Sequence, residues 1–164
     1  VLTLLHTLHS CCTWGVRSTA VLLGSCVSIS WALEQFSLST GLLLGSYTFS
    51  RSMGTQLGSV PVLVPFEWYG QAYHSYILGE IFVRVATVRY IASKNRRRRG
   101  RPLQSTLCSC AVATLLMFLF NMCTDPVSSS LGTAVYEHMW YGVPLSNYIG
   151  WAVICPLVLG VWHA

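Results

Sequence analysis

The sequence predicts an all-α fold: a polytopic integral membrane helix bundle forming a single membrane-embedded domain over residues 1–164. Three observations carry that reading. Hydrophobic residues make up 53% of the chain and charged residues 9%, with a mean hydropathy of +0.54, far from the balance of a soluble domain. Apolar runs near 19–36, 60–83, 106–122 and 147–162 each come close to the roughly 17–25 residues that a helix needs to cross the hydrocarbon core. The positive charge is also gathered rather than scattered, seven of ten basic residues lying in "RYIASKNRRRRGR", from Arg89 to Arg101.

Taken in order, the apolar stretch from Val1 to Cys12 is too short to cross alone. It lacks an initiator Met and a charged n-region, so it reads as the tail of a helix rather than a signal peptide, and the chain as a piece of a longer protein. Thr19 to Phe36 is the first of about four spans. "GSVPVLVP" then reads as a helix entrance, because Pro61 and Pro65 fall where a missing N–H costs little. The helical pattern that follows runs past Val83 to Arg89 and Tyr90. The basic loop at 89–105 should be cytoplasmic, since Lys and Arg near membrane ends are retained there. Arg17 falls on the same side, and the loops at 37–59 and 124–146 face the other way. Four consecutive arginines can also mark nuclear import or nucleic-acid contact, but flanking spans and the lack of stacking aromatics inside the run favour lipid headgroups. The expected surroundings are a lipid bilayer, with no nucleic acid. Seven cysteines occur without a CxxC pair or zinc-ligand spacing, and read as small fillers at helix contacts.

The five acids, Glu34, Glu67, Glu80, Asp125 and Glu137, all lie in spans or at their non-cytoplasmic edges. Ionisable groups there are costly and face protein or water-filled cavities, so each needs a reason. Glu80 has one in Arg84, four residues on, in the favourable order for a helical ion pair. Glu67 stands seven residues ahead of His74 on one helical face, where a hydrogen bond through water would serve both. Asp125 before Pro126 has the form of a helix start, N-cap followed by first helical residue. Glu34 has no basic residue at helical spacing.

"GLLLGSYTFSRSMGTQLGSVPVLVPFEWYGQAYHSY", "NMCTDP" and "YGVPLSNYIGW" together resemble the membrane-embedded carotenoid biosynthesis family, which includes carotenoid hydratases that make tertiary hydroxyls at acyclic carotenoid ends. The likeness runs over roughly residues 30–151. It matches Glu34 with Thr40 and Gly41, then Gly45, Tyr47 and Phe49, then Val60, Pro61, Pro65 and Trp68. Asp125 and Pro126 follow, then Gly142, Val143, Pro144, Ser146, Asn147, Gly150 and Trp151. The chain departs from the pattern at Asn121, where the family commonly has a second Asp, at Thr133–Val135, which replace tryptophans, and at Glu67, which replaces a small apolar residue.

The resemblance implies a carotenoid or other polyisoprenoid substrate, hydrated at a terminal alkene without a cofactor. Such chemistry needs a proton donor, a shielded tertiary cation and a positioned water. A carboxyl group in a low-dielectric site can keep its proton and donate it, which makes Glu34 and Asp125 the candidate catalytic acids. Aromatic faces stabilise a cation through their quadrupole. Trp68, Tyr69, Trp140, Tyr141 and Trp151 are candidates, beside Tyr47 from the family pattern, although Trp and Tyr also gather at membrane interfaces whatever a protein does. Asn147 and Ser146 are candidates to hold the water, Ser146 being equally a cap for the last span. His138 beside Glu137 is a candidate proton relay. Histidines number five and form no iron-binding boxes, so no metal is expected. Two other readings remain open: a small transporter or lipid-binding membrane protein using the same acids, and an inactive truncated family member, to which Asn121 points.

Overall fold

The structure, a computed structural model, describes residues 2–94, 102–137 and 139–163. These residues are mostly helical. In chain order they form α1 (Leu2–Trp14), α2 (Val16–Thr40), β1 (Tyr47–Phe49), a 3-10 turn at Arg51–Met53, β2 (Gln56–Leu57), β3 (Val60–Pro61), α3 (Leu63–Lys94), α4 (Pro102–Ser130), β4 (Ala134–Tyr136) and α5 (Leu145–His163). By length and composition α2 over Val16–Thr40 and α4 over Thr106–Ser130 can cross a membrane, and Leu145–Gly160 is a shorter apolar helix.

The first apolar stretch is a helix in its own right, folded back on α2 at Gly15. Ser10 and Thr19 tie the hairpin through a buried hydroxyl pair at 2.8 Å, and the Thr19 hydroxyl donates to the Gly15 carbonyl at 2.9 Å. Helix α2 ends at Gly41, whose N–H donates to the Ser37 carbonyl. The run expected at 60–83 divides differently. Val60 and Pro61 pair with Gln56 and Leu57 in a small hairpin, and the helix starts at Leu63 with Pro65 in its first turn. Helix α3 then continues to Lys94, and α4 begins at Pro102. Residues 89–94 of the expected loop thus belong to α3 and 102–105 to α4, while 95–101 and His138 lie outside the described residues.

Two further expectations are corrected. Asp125 is no N-cap, because α4 runs through it and Pro126 to Ser130. Proline removes one backbone bond and crowds the preceding turn, yet the helix needs only one more turn after it. Ser146 is no cap either, since α5 starts a residue earlier, with the Asn147 N–H donating to the Pro144 carbonyl at 3.0 Å.

α3 and α4 share the broadest contact, and α2 and α5 pack against them. The core between them holds Leu22, Tyr69, Tyr76, Ala113, Met117 and Val158, all buried. The outer faces of α2, α4 and α5 keep Val21, Phe36, Leu115, Leu119, Ile149, Val153 and Leu157 exposed. The ion pair expected between Glu80 and Arg84 forms at 3.3 Å on the surface of α3.

The loops after α2 and α4 meet at one end of the bundle. There β1 pairs with β4 antiparallel, Tyr47 opposite Tyr136 and Phe49 opposite Ala134. The α4–α5 loop is seated by glycine. Gly142 has φ +73, and a Cβ there would stand 2.9 Å from the Pro126 Cβ. Gly45 has φ +88, and a Cβ would meet Pro144 at 2.7 Å and Ser146 at 2.8 Å. Only a residue without a side chain suits both the backbone and the space. Segments far apart in sequence are thus pressed into one rim.

Candidate functional site

Beneath that rim lies a cavity of about 520 Å³. Its lining joins Glu34 of α2, Tyr47 of β1, Trp68 of α3, Asp125 of α4, Tyr136 of β4, and Asn147 and Trp151 of α5. Phe49, Met53, Leu63, Val64 and Ala134, beside Thr133, form a mainly apolar portion toward the loops, and His6, Glu67, Gln71 and His74, beside Leu2 and Phe66, a more polar portion along α1 and α3.

Glu34 is 4% exposed. Its Oε2 accepts a hydrogen bond from the Tyr47 hydroxyl, and Trp68 lines the same cavity. Asp125 sits in the last turns of α4, where its Oδ2 accepts from Trp151 Nε1 at 2.7 Å, and Asn147 lines the same cavity. The two carboxyl groups are close enough to interact electrostatically. Neither has a cationic partner, since among the described residues the ion pair formed is that of Glu80 and Arg84.

The donors are themselves braced. Trp68 and Trp151 lie ring to ring, centroids 4.5 Å apart and tilted by 43°. Tyr47 and Tyr136 stack across the β1–β4 pair at 5.0 Å, and Asn147 Nδ2 donates to the Tyr136 hydroxyl at 3.0 Å. Burial first, then the neighbouring carboxyls, pushes both phenols well above the ordinary tyrosine range. Both therefore remain O–H donors at neutral pH. Asn147 is buried and its Oδ1 has no hydrogen-bond partner among the described residues, which leaves one acceptor at the junction of the acids and the tyrosines.

Of the residues singled out from sequence, Glu34, Tyr47, Trp68, Asp125, Asn147 and Trp151 come together on this cavity, whereas Tyr69, Trp140, Tyr141 and Ser146 do not line it. Tyr69 follows Trp68 on α3 and is turned about 100° away by the helix, buried toward Thr7 and Ser10 of α1. Trp140 and Tyr141 are 73% and 67% exposed, carried outward by the turn that Gly142 makes over Pro126. Glu67 and His74 both border the cavity but are exposed, and His74 Nδ1 is bonded to the Gly70 carbonyl at 2.8 Å. Asn121 is buried in the lining, with Nδ2 donating to the Met117 carbonyl at 2.8 Å. Sequence reasoning passed over Tyr136, Gln71 and a lining role for His6. The alternation in "TAVYE" is a strand signal that could have flagged Tyr136. Among the described residues no group of three or more His, Cys, Asp or Glu side chains is placed to hold a metal ion.

A mostly helical bundle with membrane-length apolar helices, enclosing two carboxyl groups that aromatic donors rather than cations hold, defines a membrane protein with a buried acid site. The chain belongs to the carotenoid biosynthesis protein family, whose pattern matches residues 1–164. It is similar to the bisanhydrobacterioruberin hydratase of Haloarcula japonica, at 28% identity over 124 residues, covering 74% of this chain and 37% of that protein. The chain thus spans little more than a third of that relative's length. No solved structure matches it.

Proposed function

We propose that this chain forms the acid wall of a multi-pass membrane enzyme, α2 to α5 crossing the bilayer, that adds water to the terminal C=C of an acyclic carotenoid end group. A protonated carboxyl, Glu34 or Asp125, gives its proton to the less substituted alkene carbon, forming a C–H bond and a tertiary cation. The oxygen of a water molecule bonds to that cation, and its surplus proton returns to a carboxylate, so the net change is one water added. Tyr47 and Trp151 hold the two carboxyl groups in place. The indole faces of Trp68 and Trp151 shield the cation, an interaction of about 2 kcal/mol or more when desolvated. Asn147 Oδ1 is the acceptor that positions the water. No cofactor enters this scheme.

The observation that carries the reading is the convergence of Glu34 and Asp125, far apart in sequence, on one cavity with aromatic donors and without a paired cation. Membership of the carotenoid biosynthesis family and the likeness to a hydratase support this reading. The test is Asp125→Asn in the intact gene, expressed in a host that makes acyclic carotenoids. Loss of the more polar hydroxylated pigment, with the hydrocarbon accumulating, is expected. Undiminished hydroxylated pigment would remove Asp125 from the mechanism.

A further inference from the structure

The polar portion of the cavity is not used by the acid chemistry just described. It is built around α3, where Glu67, Gln71 and His74 recur at the spacing that places residues on one helical face, and where His6 of α1 lies over Gly70. A Cβ at Gly70 would stand 3.5 Å from His6 Nδ1, and the rings of His6 and His74 meet edge to face with centroids 4.1 Å apart. His6 Nδ1 and Gln71 Oε1 are both buried without a hydrogen-bond partner among the described residues. Buried polar atoms are ordinarily satisfied. Two orphans in the wall of one cavity call for a small ligand able both to donate and to accept.

We infer that His6 and Gln71 form a water-binding site that delivers the co-substrate to the acid pair, on a path lined by Glu67 and His74. A water molecule can donate to the Gln71 carbonyl oxygen and engage His6 Nδ1 by whichever tautomer suits, and such sites bind water through several polar partners. Ionisable side chains within apolar helices face water-filled space rather than lipid, which places water outside the exposed Glu67 and His74. Along α3 the order is Leu63 and Val64, then Trp68 at the acids, then Gln71 and His74. At a rise of about 1.5 Å per residue, Gln71 lies ~4.5 Å from Trp68 and His74 ~9 Å from it, along the axis. Along α3, Trp68 at the acids thus lies between Leu63 and Val64 on one side and Gln71 and His74 on the other, an order that lets an isoprenoid end and water reach the acids from different directions.

The water site rests on the hydratase reading only for its purpose, and the experiment separates the two. X-ray radiolysis in heavy-oxygen water, with the full-length protein in lipid nanodiscs, labels side chains beside bound water. His6 and the buried Trp68 should take up label in the wild type. Labelling of both should fall several-fold in Gln71→Leu and persist in Gln71→Asn, which keeps the carbonyl oxygen. In turnover, Gln71→Leu should lower kcat roughly tenfold, equivalent to 1.36 kcal/mol, with KM for the polyene unchanged and rescue by Gln71→Asn. No label at His6 and Trp68, or equal label in Gln71→Leu, overturns the inference. The expected labelling in a protein that hydrates no polyene sustains the water site and removes the hydratase reading instead.

Discussion

The bond from Trp151 to Asp125 offers the most direct test of the acid site, because its strength depends on the state of the carboxyl. Replacing Trp151 by Phe deletes the indole N–H that reaches Asp125 Oδ2 at 2.7 Å and also trims the ring packed on Trp68 at 4.5 Å. Replacing Asp125 by Ala removes the acceptor. Neither single variant isolates the bond, but a double-mutant cycle does, since the packing loss appears in both arms and cancels. A neutral acid acting as proton donor gives an ordinary hydrogen bond, and the coupling should be about 1 kcal/mol; an ionised carboxylate would give about 1.5–3 kcal/mol. Thermal melts of the four proteins in detergent would read this, 1 kcal/mol corresponding to about 2–4 °C for a chain of this size class. Costs that add to within ~0.3–0.5 kcal/mol would mean that the bond contributes nothing. A coupling near ~3 kcal/mol would mean that the side chain is charged, and Asp125 could not be the proton donor.

Two other outcomes follow from the geometry. Gly79→Ala places a Cβ 2.6 Å from the Ser109 carbonyl oxygen and 3.1 Å from the Ala113 nitrogen, backbone that cannot rotate aside, so α3 and α4 must separate. Overpacking of about 1–3 kcal/mol should exceed the gain of up to about 1 kcal/mol in helix propensity, and the melting temperature should fall, whereas a rise would show that the helices slide freely. For pH, Tyr47 and Tyr136 are held above the ordinary phenol range by burial. The stability this represents is complete below the unfolded value of about 10 and is lost as pH rises through it toward the folded values. Thermal stability should therefore drop in the alkaline range, and the Tyr47→Phe, Tyr136→Phe double variant should show a shallower drop; identical slopes would contradict the burial of these hydroxyls.

Much of the helical architecture was legible because it rests on composition. A run such as Thr106 to Met122 has no alternative in lipid to satisfying its backbone internally, so helix is the only local answer. The ion pair of Glu80 and Arg84 was legible for the same local reason, a four-residue spacing on one helix. The ends of elements were not. Asp125 and Pro126 carry the pattern of a helix start, and the chain uses them near a helix end, because the helix packs against α5 and Trp151 supplies the carboxyl with a partner that an N-cap would have found in its own backbone. Tyr69 and Trp68 are adjacent in sequence and equally aromatic, yet the helix turns one to the core and the other to the cavity.

The sequence by itself determined that the chain is helical and apolar, with helices long enough to cross a membrane, and that a few acids persist in it without cations at helical spacing; these are matters of composition and short-range spacing. Which acids meet was decided by tertiary structure alone. Glu34 and Asp125 come together because β1 pairs with β4 and because Gly45 and Gly142 let two loops close over Pro126 and Pro144. Those are contacts between distant segments, whose partners no local pattern encodes.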